Sequence, residues 1–82
     1  MIAGEAFVTP HAVRAFQERI APLTYEQALG AIVRELAENV ISVKTGAHGF
    51  IARTRGGRFC FRAVICGGDP APVVKTILRS GK

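Results

Sequence analysis

From Pro10 to Ile20 the apolar residues Val13, Phe16 and Ile20 fall three and four apart, the repeat of one helix face. Thr9-Pro10 in front of them reads as a helix start. A threonine oxygen accepts a free helix N–H there, and proline has none to lose at the first helical position. Ala21-Pro22 closes this helix, of about residues 10–20, because proline pushes its predecessor out of the helical region. A second helix, of about residues 24–38, opens on Thr24-Tyr25-Glu26-Gln27, a capping box with Gln27 at the third helical position. Its apolar stripe is Tyr25, Ala28, Leu29, Ile32, Val33 and Leu36, which assigns Glu26, Arg34, Glu35 and Glu38 to the solvent side.

After Asn39 the period drops from helical to two. Residues 40–44, 49–55, 58–66 and 73–79 read as strands rich in β-branched and aromatic side chains, and Glu5 to Val8 can add a short first strand. Gly56-Gly57 reads as a two-residue hairpin turn of the type that needs positive φ, and Gly67 to Pro72 as a longer loop. A turn at Gly56-Gly57 sets Arg55 opposite Arg58, Arg53 opposite Cys60 and Ile51 opposite Arg62. Cross-strand partners share a face. One face therefore carries Phe50, Ala52, Thr54, Phe59, Phe61, Ala63 and Ile65, the core side. The other carries Ile51, Arg53, Arg55, Arg58, Cys60, Arg62, Val64 and Cys66.

The closing strand adds Val74, Thr76 and Leu78 to the core side and Val73, Lys75, Ile77 and Arg79 to the other. A four-residue loop, Thr45 to His48, turns Ile41 and Val43 inward and Lys44 outward, and leaves His48 off the arginine face. The predicted fold is a single α+β domain over residues 1–82. A short N-terminal strand and two helices accompany a four-stranded, or with the first strand five-stranded, antiparallel sheet. The helices pack on one face and leave the other open.

Composition fits a small folded domain. The chain has 82 residues, near the lower limit at which one apolar core suffices. Its 49% hydrophobic content argues against disorder. No apolar run approaches the roughly 20 residues of a membrane helix. The opening residues lack the basic segment of a secretion signal. Cys60 and Cys66, read as lying in one strand, stand about 20 Å apart, too far for a disulfide, and their spacing fits no zinc pattern. The expected setting is a reducing cytoplasm, with no metal and no cofactor. Neither a glycine-rich phosphate loop, nor a Ser-His-Asp signal, nor paired catalytic carboxylates are present.

Charge changes the picture most. Residues 1–38 carry a net −2 and residues 39–82 a net +7, within a formal total of +5. Strand parity narrows this basic half to one sheet face bearing Lys44, Arg53, Arg55, Arg58, Arg62, Lys75 and Arg79. The planar fork of arginine suits bidentate phosphate contact. Arg55 directly opposite Arg58 destabilises a sheet, a cost that an anionic partner offsets; a solvated strand face accounts for the same charges. Ile51, Val64, Val73 and Ile77 share this face, and no aromatic is assigned to it for base stacking. An acidic protein partner or a second subunit therefore fits as well as nucleic acid, of which RNA is preferred to DNA. His11, Arg14 and Glu18 line the outer side of the first helix and form a second candidate constellation, with His11 near the helix N-terminus as a candidate base. A solvated helix face with a weak Arg14–Glu18 pair is the alternative there.

The run Thr9-Pro10-His11-Ala12-Val13-Arg14-Ala15-Phe16-Gln17-Glu18-Arg19 is similar to the "HA…R…ER" opening of small prokaryotic and phage proteins of unknown function. The helix-helix-sheet order resembles the RelE/ParE-type toxin superfamily, and Val74 to Leu78 resembles its closing strand. That resemblance implies a basic sheet face on messenger RNA, with Arg53, Arg55, Arg58, Arg62, Lys75 and Arg79 as the candidates. The chain lacks the Tyr or His near the last strand and the C-terminal extension of the nucleases. Three readings follow: a non-enzymatic binding module using the basic face, a RelE-like ribonuclease with His11 as proton carrier, or a structural homo-oligomer meeting through the same face.

Overall fold

The computed structural model describes residues 7–46, 49–67 and 72–80. Two helices, α1 (Pro10–Arg19) and α2 (Tyr25–Glu38), follow a two-residue strand β1 (Phe7–Val8). Four further strands follow among the described residues: β2 (Val40–Gly46), β3 (Gly49–Thr54), β4 (Phe61–Cys66) and β5 (Val73–Arg79). They form one five-stranded sheet in the order β1-β5-β4-β3-β2. The sheet is mixed: β1 runs parallel to β5, whereas every other pair is antiparallel as expected.

Both helix starts form as the sequence implies. Thr9 Oγ1 accepts from the Ala12 N–H at 3.1 Å and donates to the Val74 carbonyl at 3.0 Å, so the cap also ties α1 to β5. Thr24 and Gln27 make both arms of the capping box at 3.2 Å. From α1, Ala12, Val13, Ala15 and Phe16 are buried. They meet Ala28, Ile32 and Leu36 of α2, and Ala52, Phe61, Ala63, Ile65, Val74 and Ile77 of the sheet. Phe16 stands edge-on to both Phe59 and Phe61, with ring centroids 5.2 and 5.6 Å away.

The solvent side assigned to α2 needs one correction. Glu35 is buried at 3% exposure, while Tyr25 and Val33 of the expected stripe are exposed. Glu35 stands three residues beyond Ile32 and seven beyond Ala28, on the inward stripe, and its charge is met there by fixed donors. The Asn39 amide, the Arg58 N–H and the Phe59 N–H bond its two oxygens at 2.9, 3.0 and 3.3 Å. Charged hydrogen bonds of this kind offset the cost of burying a carboxylate.

That grip reshapes the β3–β4 connection. The two-residue turn becomes a six-residue loop, residues 55–60, pinned to the end of α2. The Arg55 N–H also bonds the Asn39 carbonyl at 3.0 Å. Gly56 takes the positive φ of 95°, and Gly57 lies so close to Glu35 and Asn39 that a Cβ would collide with both. The register moves by two: Arg53 faces Arg62, Ala52 faces Ala63 and Ile51 faces Val64. An even shift keeps every strand residue on its expected face while replacing its partner. It also removes Arg55, Arg58, Phe59 and Cys60 from the strands.

Two bulges break parity elsewhere. In β5 the register slips between Val64 and Ile65 of its partner, leaving Lys75 as the extra residue. Val73 and Val74 keep their expected sides. Beyond the bulge the sides swap: Ile77 is fully buried, Arg79 shares its parity, and Thr76 and Leu78 turn to the open face. In β2 the extra residue is Ile41, which is 53% exposed instead of inward. Val43 does pair with Ala52 on the core side, yet it is 52% exposed where Ala52 is 3%. The helices leave this part of β2 largely uncovered. The strand itself runs on to Gly46, paired with Gly49, so the expected four-residue loop is shorter; His48 lies outside the described residues.

Candidate functional site

The open sheet face is a grid fixed by the register. Nearest the β3–β4 loop runs a row of Ser42, Arg53, Arg62 and Leu78 across β2 to β5. The next row is Lys44, Ile51, Val64 and Thr76. At the far end lie Cys66, Val73 and Phe7. Of the seven expected site residues, the grid holds Lys44, Arg53 and Arg62. Arg55 and Arg58 are exposed in the loop at the Arg53–Arg62 end. Lys75 sits exposed on the bulge. Arg79 leaves the open face, because the bulge reverses its parity.

Arg79 is not lost to the site, however. Its Nε donates to the Arg19 carbonyl at the end of α1, at 3.3 Å. Arg62 Nε donates to the Arg79 carbonyl at 2.9 Å, and Arg19 Nη1 to the Ile77 carbonyl at 2.9 Å. These bonds run to neutral carbonyls. They orient three guanidinium groups around the end of β5 without neutralising them, and each keeps further N–H donors. With Arg53, Arg55 and Arg58, six arginines gather at one end of the sheet. Arg19 belongs to this group and was invisible to strand parity, since it sits on a helix; its place as the last residue of α1 was the available signal.

The carboxylates lie elsewhere. Glu18, Glu26, Glu35 and Glu38, the described acids, all sit on the helices. Among the described residues the one ion pair is Arg34–Glu38 along α2, at 3.7 Å and largely exposed. Thus no described acid offsets Lys44, Arg53 or Arg62 on the open face. Arg53 and Arg62 stand directly opposite each other, an arrangement that costs a sheet stability.

The face is also less purely polar than its charges imply. Ile51, Val64, Val73 and Leu78 lie on it half-buried, and Phe7 is 60% exposed at its far edge. Phe7 supplies the aromatic that the sequence reading did not assign, because the face of β1 had no partner to fix it. The pairing Phe7 with Val73 and Val8 with Val74 fixes it.

The other expected constellation stays apart. His11, Arg14 and Glu18 are exposed on α1. That helix packs on the core side, so His11 is on the opposite side of the sheet from Arg53 and Arg62. Eight residues of helix, about 12 Å of rise, also separate it from Arg19. A cleft of about 690 Å³ between α2 and the β3–β4 loop is lined by Arg34 and Arg58 but also by Glu35 and Glu38, so it does not select an anion. Among the described residues no three His, Cys, Asp or Glu side chains are grouped to hold a metal, and no helix is long and apolar enough to cross a membrane. Cys60 is exposed in the loop, not in β4. Comparison with protein-family models, with curated proteins and with solved structures gave no match to this chain.

Proposed function

We propose that the protein is a binding module for single-stranded nucleic acid, RNA in preference to DNA, held on the open sheet face and its arginine end. One observation carries this reading: the described carboxylates sit on the helices, and no described acid offsets Lys44, Arg53 or Arg62 on the open face. Such a separation makes one side of the molecule attractive to a polyanion. Arg53 and Arg62 supply phosphate contacts in the first row, and Arg55, Arg58, Arg79 and Arg19 extend the track around the sheet end. Phe7 and the half-buried apolar residues offer flat contact to bases, the combination by which sequence-tolerant single-strand binders work. The separation of His11 from the arginines favours binding over cleavage.

A labelled single-stranded RNA titrated at several salt concentrations tests the proposal. Affinity falls steeply with salt, and the double variant Arg53→Ala/Arg62→Ala flattens the log–log slope by roughly 1.5. Binding that ignores both salt and these substitutions would overturn it. The half-buried Ile51, Val64 and Leu78 favour a second reading, an acidic protein partner docking on the same face. RNA affinity that is absent while an acidic partner is captured through Arg53 and Arg62 selects that reading. A second copy on this face is less well supported, since it would bring two sets of arginines together with no described acid between them.

A further inference from the structure

Three of the arginines at the end of the sheet are tied to one another through the main chain. Arg62 Nε donates to the Arg79 carbonyl at 2.9 Å, Arg79 Nε to the Arg19 carbonyl at 3.3 Å, and Arg19 Nη1 to the Ile77 carbonyl at 2.9 Å. Each anchor takes one of the five N–H donors of a guanidinium. The three side chains donate to no other group among the described residues. Ile77 and Arg79 stand two apart on β5, so their carbonyls leave the strand on the same side, about 7 Å from each other. The Arg19 and Arg62 guanidinium groups are thus anchored about one phosphate's width apart, with room for a charged hydrogen bond of about 2.8 Å on either flank. Arg79 reaches the same corner from the helix side. Its bond to the Arg19 carbonyl covers an acceptor at the negative end of α1, which otherwise repels an anion. Glu18, next to Arg19 in sequence, makes no ion pair among the described residues, as expected for helix neighbours that do not face each other.

We infer that Arg19, Arg62 and Arg79 hold the terminal phosphate of a bound strand, a phosphate monoester at its 5′ or 3′ end. This placement rests on the single-strand reading above and adds a direction to it. An internal phosphodiester exposes two unshared oxygens and a single charge, which the facing pair Arg53 and Arg62 already serves on the open face. A monoester presents three oxygens and roughly −1.5 to −2 charges at pH 7, and a third guanidinium matches that excess. The position of the group agrees with its chemistry. Arg62 lies on the open face, whereas Arg19 and Arg79 lie on the helix side, so the three wrap around the end of β5. A strand lying on the face has to stop there or bend sharply. Apolar contacts for bases gather at the opposite end, where Cys66, Val73 and Phe7 form the far row. That row is four β4 residues from Arg62, about 13 Å. The strand therefore has its terminus at the arginine corner and runs along β4 and β5 toward Phe7.

Calorimetric titration of the full chain with one short, unlabelled RNA sequence tests this, in three forms: 5′-phosphate, 3′-phosphate, or hydroxyl at both ends. One phosphate-ended form is expected to bind on the order of tenfold tighter than the hydroxyl-ended form, and its identity sets the polarity of the strand. Arg19→Gln and Arg79→Gln are each expected to bring that ratio close to one. Arg53→Ala should weaken both forms alike and keep the ratio, since its contacts are to internal phosphates. The readout is a ratio, so a general loss of affinity does not imitate the result, and circular dichroism confirms that each variant is folded. Equal binding of all three forms overturns the inference and leaves the single-strand reading standing. A preference that survives both glutamine substitutions overturns it as well. So does a preference lost with Arg53→Ala, which would move the terminal phosphate to the Arg53–Arg62 pair. No binding of any form removes the single-strand reading, and the terminal-phosphate site with it.

Discussion

The two margins of this sheet are built differently. At the β5 margin, α1 lies along the strand, Thr9 and Arg19 bond its carbonyls, and β1 pairs with its first two residues. At the β2 margin no strand or helix among the described residues covers the outer side, and Val40, Ile41 and Val43 are exposed. Both strands carry a bulge. In β5 the bulge turns Ile77 into the core and Arg79 toward α1, so it completes the packing. In β2 it leaves Ile41 outside. The difference shows that the same local irregularity stabilises or exposes according to what lies beyond the sheet.

Truncation should separate the two margins by the widest gap. Phe16 is fully buried and touches Phe59 and Phe61, so Phe16→Ala is expected to cost about 3–5 kcal/mol. Val43→Ala, on the exposed margin, should change monomer stability by less than about 0.5 kcal/mol. Denaturant unfolding of the monomer measures both. Equal losses at the two positions would mean that the β2 margin is as well packed as the β5 margin.

Between the margins stands the Glu35 latch. Glu35→Ala removes the acceptor for the Arg58 and Phe59 N–H groups and the Asn39 amide together, and about 2–3 kcal/mol of destabilisation is expected. Gly57→Ala presses a methyl group on the same two side chains and should act in the same direction. Amide exchange localises the effect: Arg58 and Phe59 should lose protection first, with β5 unaffected. Protection lost uniformly across the sheet would show that the latch holds the whole fold and not the loop.

Much of this arrangement could be read in advance. The caps at Thr9 and Thr24 are side-chain chemistry and appear as such in the sequence. The face of each strand residue in β3 and β4 followed from parity, and survived a wrong pairing because the shift was even. The bulges at Ile41 and Lys75 were not legible, since neither position has a glycine and one inserted residue leaves no change in composition. Ile77 and Arg79 were placed on the open face, and Thr76 and Leu78 on the core side, for that reason alone. Glu35 was assigned to solvent because a carboxylate on an inward stripe looks like an interruption until its donors are placed. Two of its three donors come from a loop 23 and 24 residues later in the chain. For the site, Arg53, Arg62 and Lys44 were legible from parity, while Arg19 and Phe7 needed the neighbours that only the folded chain supplies.

A smaller contrast comes from one substitution made on both sides of the sheet. Thr54 and Thr76 each carry a buried hydroxyl, but in opposite circumstances. Thr54 Oγ1 accepts from the Phe61 N–H at 3.2 Å and lies within 3.3 Å of the Phe59 carbonyl, bridging the strands where the ladder has already opened into the loop. Thr76 Oγ1 is sealed from solvent on the other face with no hydrogen-bond partner among the described residues. Valine matches threonine in shape, so each replacement isolates the hydroxyl. Thr54→Val strands a buried N–H and should cost about 1–2 kcal/mol; Thr76→Val relieves an unmet polar atom and should gain about 0.5–1 kcal/mol. Thermal unfolding of the two variants side by side reads the sign directly. A loss at Thr76 equal to that at Thr54 would mean that its hydroxyl has a partner in solution, and the open face near β5 would then be more polar than the arginines and apolar residues described for it.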